Sequence, residues 1–206
     1  MKPDSSGSIL RAINVLGLIA GVLMIALPFL GPWWIARAGT GAIEMALSPF
    51  DMSITVLGQS ISSDLVWLFL LAEKVAIIIA GVFMILSSLL PTSWWSARLL
   101  RFGVMKPLWA IVGLIILLLL GTFFMNNILP NFLSNMIGAT GASVQMNVPY
   151  IMGTANSTIQ VGSQATITAP IKLSLTPAFW VAMVTAALCI AARIYHRRFT
   201  KQIKSQ

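Results

Sequence analysis

The chain has 206 residues, of which 58% are hydrophobic and only 9% are charged. Because soluble domains carry about 25% charged residues, this composition excludes an ordinary soluble globular protein. A mean hydropathy of +0.91 instead indicates an integral membrane protein. The net charge of +8 comes without the basic groove pattern and interleaved readers of nucleic-acid binders, so we expect no nucleic-acid partner.

The apolar residues are gathered into four segments, at residues 9–30, 65–90, 108–124 and 179–192. Each is close to the roughly 20 helical residues that cross a bilayer core. We therefore predict an all-α membrane protein, a single domain over residues 1–206 in which four transmembrane helices form a bundle. Tryptophans at the segment ends, such as Trp33, Trp34, Trp94 and Trp95, are typical of an interfacial aromatic belt.

The basic residues predict the orientation of the spans. Most of them flank the termini or lie between the second and third segments: Lys2, Arg11, Arg98, Arg101, Lys106, Arg193, Arg197, Arg198, Lys201 and Lys204. Under the positive-inside rule, both termini lie in the cytoplasm, and loops 36–63 and 126–177 face outward. We expect a multi-pass protein of the plasma membrane, whose basic face attracts anionic lipid headgroups and which carries bound lipid.

The two outer loops contain short segments of alternating apolar and polar residues, which predict β-strands. In the first loop, residues 48–51 form a turn signal between two such segments. The second loop contains four more, at residues 143–148, 158–161, 165–168 and 171–175. We expect Ala169-Pro170 to separate the last two. The loops together predict one small antiparallel sheet, with a short interfacial helix at residues 131–138.

The second outer loop is almost uncharged, since Lys172 is the only charged residue between Lys106 and Arg193. A face without carboxylates changes its charge little with pH, which suits an acidic or hot medium and a thermoacidophilic prokaryote. A surface covered by partner proteins would avoid charge as well, because burial removes the hydration of ions. The sequon that begins at Asn156 is a candidate glycosylation site in this loop.

Small residues predict where the helices pack closely. Gly17 and Gly21 form a GxxxG motif in the first segment, and Ala72, Ala76 and Ala80 recur at every fourth position in the second. In lipid, such residues let two helix backbones approach one another. We expect both motifs to pack within the bundle, although the glycines would also fit a neighbouring subunit.

The first two segments also resemble one another, as IAGVLMI begins at Ile19 and IAGVFMI begins at Ile79. Adjacent spans run in opposite directions, so a true repeat would have the inverted topology found in many transporters. Convergence on the same packing residues is the simpler explanation, and we favour it.

Glu73 and Lys74 are the only ionisable residues deep within an apolar segment. Charges in a membrane cost about 2.5–3.5 kcal/mol each on insertion scales and are functional candidates by default. Glu73 could carry a proton, and Lys74 could pair with another helix. Counting one bilayer thickness back from Trp94 instead places both at the outer interface, with residues 64–73 packed on the outer sheet. We favour this second interpretation.

The chain shows no pattern typical of catalysis. It has one Cys, one His and five Asp or Glu residues, whereas metal sites need clusters of such ligands. We therefore expect no catalytic residue, no metal site and no cofactor. The single histidine, His196, is expected to be a solvated residue of the basic tail.

The layout is similar to that of the claudin-like family of four-span proteins, which have cytoplasmic termini, two outer loops and a small outer sheet. The Trp-Gly-Leu-Trp-like run and the paired cysteines of that family's first loop are missing here, so the resemblance implies topology and no functional residue.

Together these patterns predict a non-catalytic structural or accessory subunit that assembles with itself or with other membrane protein subunits. One alternative is a small transporter or proton-handling subunit that uses Glu73 and Lys74. A third is an accessory subunit of a respiratory or monooxygenase electron-transfer complex.

Overall fold

A computed structural model of the chain describes residues 13–39, 41–91, 93–132, 143–161 and 165–204. The helices there are α1 (Val15–Ala26), α2 (Asp64–Leu89), α3 (Ser96–Phe123) and α4 (Pro177–Lys204). A 3-10 turn, Leu27–Phe29, follows α1, and a π-helical turn, Phe124–Ile128, follows α3. The strands are β1 (Trp34–Ala38), β2 (Ile43–Leu47), β3 (Met52–Val56), β4 (Gln59–Ile61), β5 (Ser143–Gln145), β6 (Gly153–Val161) and β7 (Ala165–Leu175).

Three helical stretches are long and apolar enough to cross a membrane: Asp64–Leu89, Ser96–Phe132 and Pro177–Arg198. A fourth apolar stretch, Val15–Phe29, is shorter. The start of the predicted span at residues 9–30 lies outside the described residues, as do Lys2, Arg11 and most of the helix predicted at 131–138. These three stretches indicate a membrane protein.

Two helices extend beyond the predicted spans. α3 begins well before residue 108 and passes through Pro107, which is fully buried. It therefore includes Lys106, which the sequence suggested to be a loop residue. α4 continues past residue 192 because Arg and Lys are good helix formers.

The chain divides into two compact units. The helical unit comprises Met1–Gly31, Phe69–Ile111 and Trp180–Gln206, and the sheet unit comprises Pro32–Leu68 and Val112–Phe179. In the helical unit, Ala20, Met24, Ile77, Met84 and Cys189 are almost completely buried. Its core thus combines small side chains with flexible thioethers, which fill irregular gaps between helices.

The sheet unit contains one seven-stranded antiparallel sheet, in the order β4-β3-β2-β1-β7-β6-β5. The first loop supplies β1 to β4 and the second supplies β5 to β7. The two sets meet where β1 pairs with β7, in the register Trp34 with Leu175 through Ala38 with Ile171. The prediction of an antiparallel sheet built from both loops is confirmed.

The expected break at Ala169-Pro170 is wrong, because β7 runs through Pro170 without interruption. Pro170 lies opposite Asn156 of β6, and its carbonyl accepts a hydrogen bond from the Gly39 amide at 2.9 Å. A residue's N–H and C=O point to the same side of a strand, so the missing N–H of Pro170 faces the side on which β1 has already ended. The proline is tolerated because only the reciprocal bond to Gly39 is missing, at the point where the pairing of β1 with β7 ends.

Trp33 and Trp34 are buried inside the sheet unit, with exposed fractions of 0% and 6%. The Trp33 ring makes edge-to-face contacts with Phe50 at 5.5 Å and with Phe179 at 6.3 Å between centroids. The Trp34 Nε1 donates to the Ile151 carbonyl at 2.8 Å. Both rings therefore pack and position the loop segments.

Asn126 holds the segment that precedes β6 against α3. Its side-chain amide donates to the Val148 carbonyl at 2.9 Å and accepts from the Val148 amide at 2.8 Å. Thr122, one turn earlier, donates to the Tyr150 carbonyl at 3.0 Å. Asn126 makes these bonds from within a π-helical turn, and the helical stretch continues beyond it to Phe132.

Candidate functional site

In the helical unit, α1 and α2 approach each other closely where they cross at two glycines. A Cβ added at Gly21 would lie 2.9 Å from the Gly81 carbonyl oxygen, and one added at Gly81 would lie 2.9 Å from the Gly21 oxygen. Real Cβ atoms do not tolerate such distances from backbone, so only glycine fits at either position. Gly17 meets Ser88 in the same way, with a hypothetical Cβ overlapping the Ser88 hydroxyl.

This crossing relates the two similar sequence segments to one another. The added Cβ at Gly21 would meet the Ile85 side chain at 2.6 Å, and the one at Gly81 would meet Ile25 at 2.8 Å. Each contact is therefore matched by its counterpart in the other segment, as a local two-fold axis requires. Convergence on good packing residues remains sufficient to explain the similarity, because both helices need a glycine at the same point.

The alanines of α2 differ in their surroundings. Ala80 is fully buried, whereas Ala76 is half-buried and Ala72 is exposed. A Cβ added at Gly103 of α3 would lie 3.2 Å from the Ala80 carbonyl oxygen, so α2 faces α3 at Ala80. The packed side of α2 therefore contains Ala80 and Gly81, and Ala72 lies outside it.

The charged residues of the second and third spans meet in the helical unit. Lys106 Nζ lies 3.9 Å from Glu73 Oε2, and their side chains are 30% and 39% exposed. Both residues lie within stretches that are candidate membrane spans. Sequence reasoning found Glu73 but missed its partner, because Lys106 lies close to a proline that normally ends a helix.

Lys74 points to a different neighbour. Its Nζ lies 5.8 Å from the centroid of the Phe29 ring, a cation–π distance. The preceding part of α2 carries large exposed side chains, since Leu65, Trp67, Leu68 and Phe69 are all more than 60% exposed. The interpretation that places Glu73 and Lys74 at the outer interface stays a prediction.

A group of buried polar residues links four helices of the helical unit; we call it the polar cluster, and it consists of Asn14, Ser87, Ser88, Ser96 and His196. The Asn14 side chain donates to the Ala192 carbonyl of α4 at 2.9 Å and accepts from the Gly17 amide at 3.2 Å, capping α1. The Asn14 amide donates to the Ser88 carbonyl at 3.0 Å. Asn14 therefore bonds to both α2 and α4.

His196 belongs to the polar cluster, so the expectation of a solvated histidine is wrong. It is 3% exposed, and its Nε2 lies 3.3 Å from the Ser96 Oγ. The Ser96 hydroxyl also donates to the Ser87 carbonyl at 3.3 Å. Since a hydroxyl has one proton, the histidine acts as the donor to Ser96 whenever that proton goes to Ser87. Helical periodicity would have placed His196 in line with Cys189 and Ala192, both buried.

The sheet unit exposes several large apolar residues between positions 57 and 68. We call them the hairpin patch, which comprises Leu57, Ile61, Leu65, Trp67 and Leu68. Leu57 forms the tip of the β3–β4 hairpin and is 80% exposed. Its φ of 51° is in the left-handed region, which favours Gly or Asn and disfavours Leu. β4 is an edge strand, and all three of its residues are exposed.

Two further sequence-based candidates can be placed. Asn156, the candidate glycosylation site, lies in β6 and is exposed, whereas the next residue, Ser157, is buried and accepts a hydrogen bond from the Asn147 amide at 3.3 Å.

Within the described part of the chain, no group of three or more His, Cys, Asp or Glu residues could hold a metal ion. No protein-family model matches the chain, and no curated protein is significantly similar to it.

Proposed function

We propose that the chain is a non-catalytic, multi-pass subunit of the plasma membrane that assembles with itself or with a larger membrane complex. It crosses the membrane four times, with α1 and the residues before it as the first span and with both termini in the cytoplasm. The outer loops form the sheet, in a claudin-like layout. The three long apolar helices and the joining of both loops in one sheet support this layout.

The observation that carries the assembly function is the hairpin patch. Five large apolar side chains between residues 57 and 68 are exposed, and a concentration of exposed apolar surface usually marks an interaction site. Leu57 has a left-handed backbone conformation, which costs a leucine about 1–2 kcal/mol. A leucine held there for contact, at the end of an open sheet edge, fits a partner-binding role better than a turn-forming one.

The direct test is purification in a mild detergent, followed by mass spectrometry of the intact assembly and of whatever co-purifies. The same measurement is made on a Leu57→Asn/Ile61→Lys variant, which changes only residues outside the helices. We expect the wild type to be oligomeric or to co-purify with defined subunits. The variant should be monomeric and should co-purify with no other subunit. Ser53→Lys, at the exposed residue of β3, is the matched control and should behave as the wild type does.

A monomeric wild type with no co-purifying subunit would contradict this function. Equal assembly of the wild type and the double variant would contradict the role of the hairpin patch.

A second function is favoured by one specific contact, the Glu73–Lys106 pair. An ion pair between two candidate spans is costly unless it has a use, and proton handling or transport is the usual one. Proteoliposomes containing a pH-sensitive dye test it. Loss of proton flux in Glu73→Gln, with normal assembly and with normal flux in Glu44→Gln, would establish it, whereas a wild type without flux would exclude it.

A further inference from the structure

Two rows of exposed side chains in the helical unit contain the same residues at the same spacing. The first row, on α1, consists of Val15, Ile19 and Val22, and the second row, on α2, consists of Val75, Ile79 and Val82. All six side chains are between 41% and 55% exposed. The similarity of the two segments therefore includes their outer surfaces.

Contacts within the chain explain only the buried part of this similarity. Gly21 and Gly81 recur because the backbones of α1 and α2 meet there. The rows lie on the exposed sides of the same helices, so the crossing does not require their side chains to match. The match between the rows needs a contact outside the chain.

Contact with lipid does not select these side chains. Lipid tails are as apolar as leucine, and the exposed surface of α3 indeed carries Leu117, Leu119 and Leu120. Valine and isoleucine are weaker helix formers than leucine, but their side chains have nearly a single rotamer in a helix. A side chain with one rotamer loses little entropy when it packs against another helix. Six β-branched side chains in the two rows therefore indicate packing against protein.

The spacing of the rows also suits helix-on-helix packing. In each row, the second residue follows the first by four positions, and the third follows the second by three. Steps of three and four keep side chains on the side that faces a partner helix, where each inserts between residues of that helix. Each row thus has the pattern of one side of a helix pair.

The two rows lie at matching depths. The Asn14 amide donates to the Ser88 carbonyl at 3.0 Å, and Gly21 crosses Gly81. These contacts are seven residues apart on each helix, so the antiparallel α1 and α2 keep one register over two turns. In this register, Val22 is one residue from the level of Ile79, or about 1.5 Å in depth, and the other members of the rows interleave in the same way.

We propose that the first row of one copy of the chain packs against the second row of a neighbouring copy. The contact rests on the proposed function and names the partner as a second copy. Copies inserted in the same orientation lie at the same depth, so Val22 of one copy meets Ile79 of the next without any shift along the membrane normal. Each copy keeps one row unused, so the contact extends to a ring or to a chain of copies.

The test is disulfide cross-linking between two co-expressed forms of the full chain that carry different tags. One form has Val22→Cys and the other has Ile79→Cys. Oxidation is carried out in the membrane, because helix contacts in lipid depend on packing and are weakened by detergent. A disulfide needs two Cα atoms within about 7 Å, so we expect this matched pair to link.

The matched control replaces Ile79→Cys by Val75→Cys. Val75 belongs to the same row and is similarly exposed, but it lies four residues from Ile79, or about 6 Å in depth. The matched pair should therefore link several-fold more than the control pair. The wild type, whose single cysteine, Cys189, is buried, should not link.

Equal linking of the matched and control pairs would overturn the proposal, since random collisions would explain it and lipid would cover the rows. Stronger linking between two Ile79→Cys chains would also overturn it, in favour of pairing between like helices. If a variant does not accumulate in the membrane, Val15→Cys with Leu86→Cys tests the same register, and no link there would refute the contact. Subunits that co-purify with a chain whose rows do not link would refute this contact alone, whereas a monomeric, unlinked chain would also contradict the proposed function.

Discussion

The two halves of α2 are both rich in apolar residues, but most side chains of the first half are exposed and many of those of the second are buried. Leu65 and Trp67, near its start, are 79% and 63% exposed, whereas Ile77 and Met84 are 1% and 0% exposed. The difference follows the small residues, because Ala80 and Gly81 let α1 and α3 approach the second half. In a membrane protein, apolar residues define a span, whereas small residues decide which part of it meets another helix.

The same contrast occurs among the glycines of α3. A Cβ at Gly103 would lie 3.2 Å from the Ala80 carbonyl, while Gly113 and Gly121 have nothing within 4 Å. Glycine is thus a packing residue at one position of this helix and a weak helix former at the others.

The largest expected effect comes from truncating a packed side chain of α2. Ile77→Ala should lower the free energy of unfolding by about 2–5 kcal/mol, because it removes contacts and leaves a cavity. Leu65→Ala, at the exposed start of the same helix, should change it little. Thermal unfolding in detergent measures both, and equal losses would mean that the two halves of α2 do not differ as described.

A smaller effect is expected at the glycine crossing. Gly21→Ala should destabilise the chain by about 1–3 kcal/mol, since the new methyl group meets the backbone of Gly81. Gly113→Ala is the matched control and should stabilise the helix by about 0.5–1 kcal/mol. A chain that tolerates Gly21→Ala as well as Gly113→Ala would show that α1 and α2 do not cross at these glycines.

The polar cluster extends the comparison from apolar to polar contacts. Asn14→Ala removes an N-cap and the bond to the Ala192 carbonyl, and should cost about 1–2 kcal/mol. Asn127 makes only an exposed bond to the Phe123 carbonyl, so Asn127→Ala should cost less than about 0.5 kcal/mol. Unfolding temperatures of the two variants in one detergent check the difference, and the reverse order would contradict it.

The smallest effect should be a gain in stability at the hairpin tip. Leu57→Asn gives the turn an Asn-Gly pair, which suits the positive φ of 51° at this residue and 81° at Gly58. We expect a stabilisation of up to about 1 kcal/mol together with weaker assembly. A loss of stability would show that Leu57 supports the fold of the sheet unit rather than a partner.

The parts of the fold that could be predicted are those that depend on local patterns. Long apolar runs identified helices such as Asp64–Leu89, and alternation with a turn at residues 48–51 identified β2 and β3. Pro170 was misread because its effect depends on which side of the strand its missing N–H faces. Whether a partner strand lies on that side depends on where β1 ends, and β1 is far away in sequence.

The candidate site was predicted less well, because its contacts join distant segments. Glu73 stood out as an ionisable residue in an apolar run, but nothing in the sequence marks Lys106 as its partner. His196 lies in a basic tail whose composition indicates solvent, while its helical position buries it. Composition describes the neighbours in sequence, whereas burial depends on neighbours in space.

The pairing of β1 with β7 has a consequence for biogenesis. β1 to β4 can pair as soon as the first loop has been synthesised, but the other edge of β1 stays open until β7 emerges. Almost the whole chain, including α2 and α3, must be made before that edge is closed. Open edges template aberrant pairing, so the newly made protein passes through a stage at which it is most prone to aggregation. Slowing translation ahead of β7 should lengthen that stage, and the yield of correctly inserted protein should fall with it.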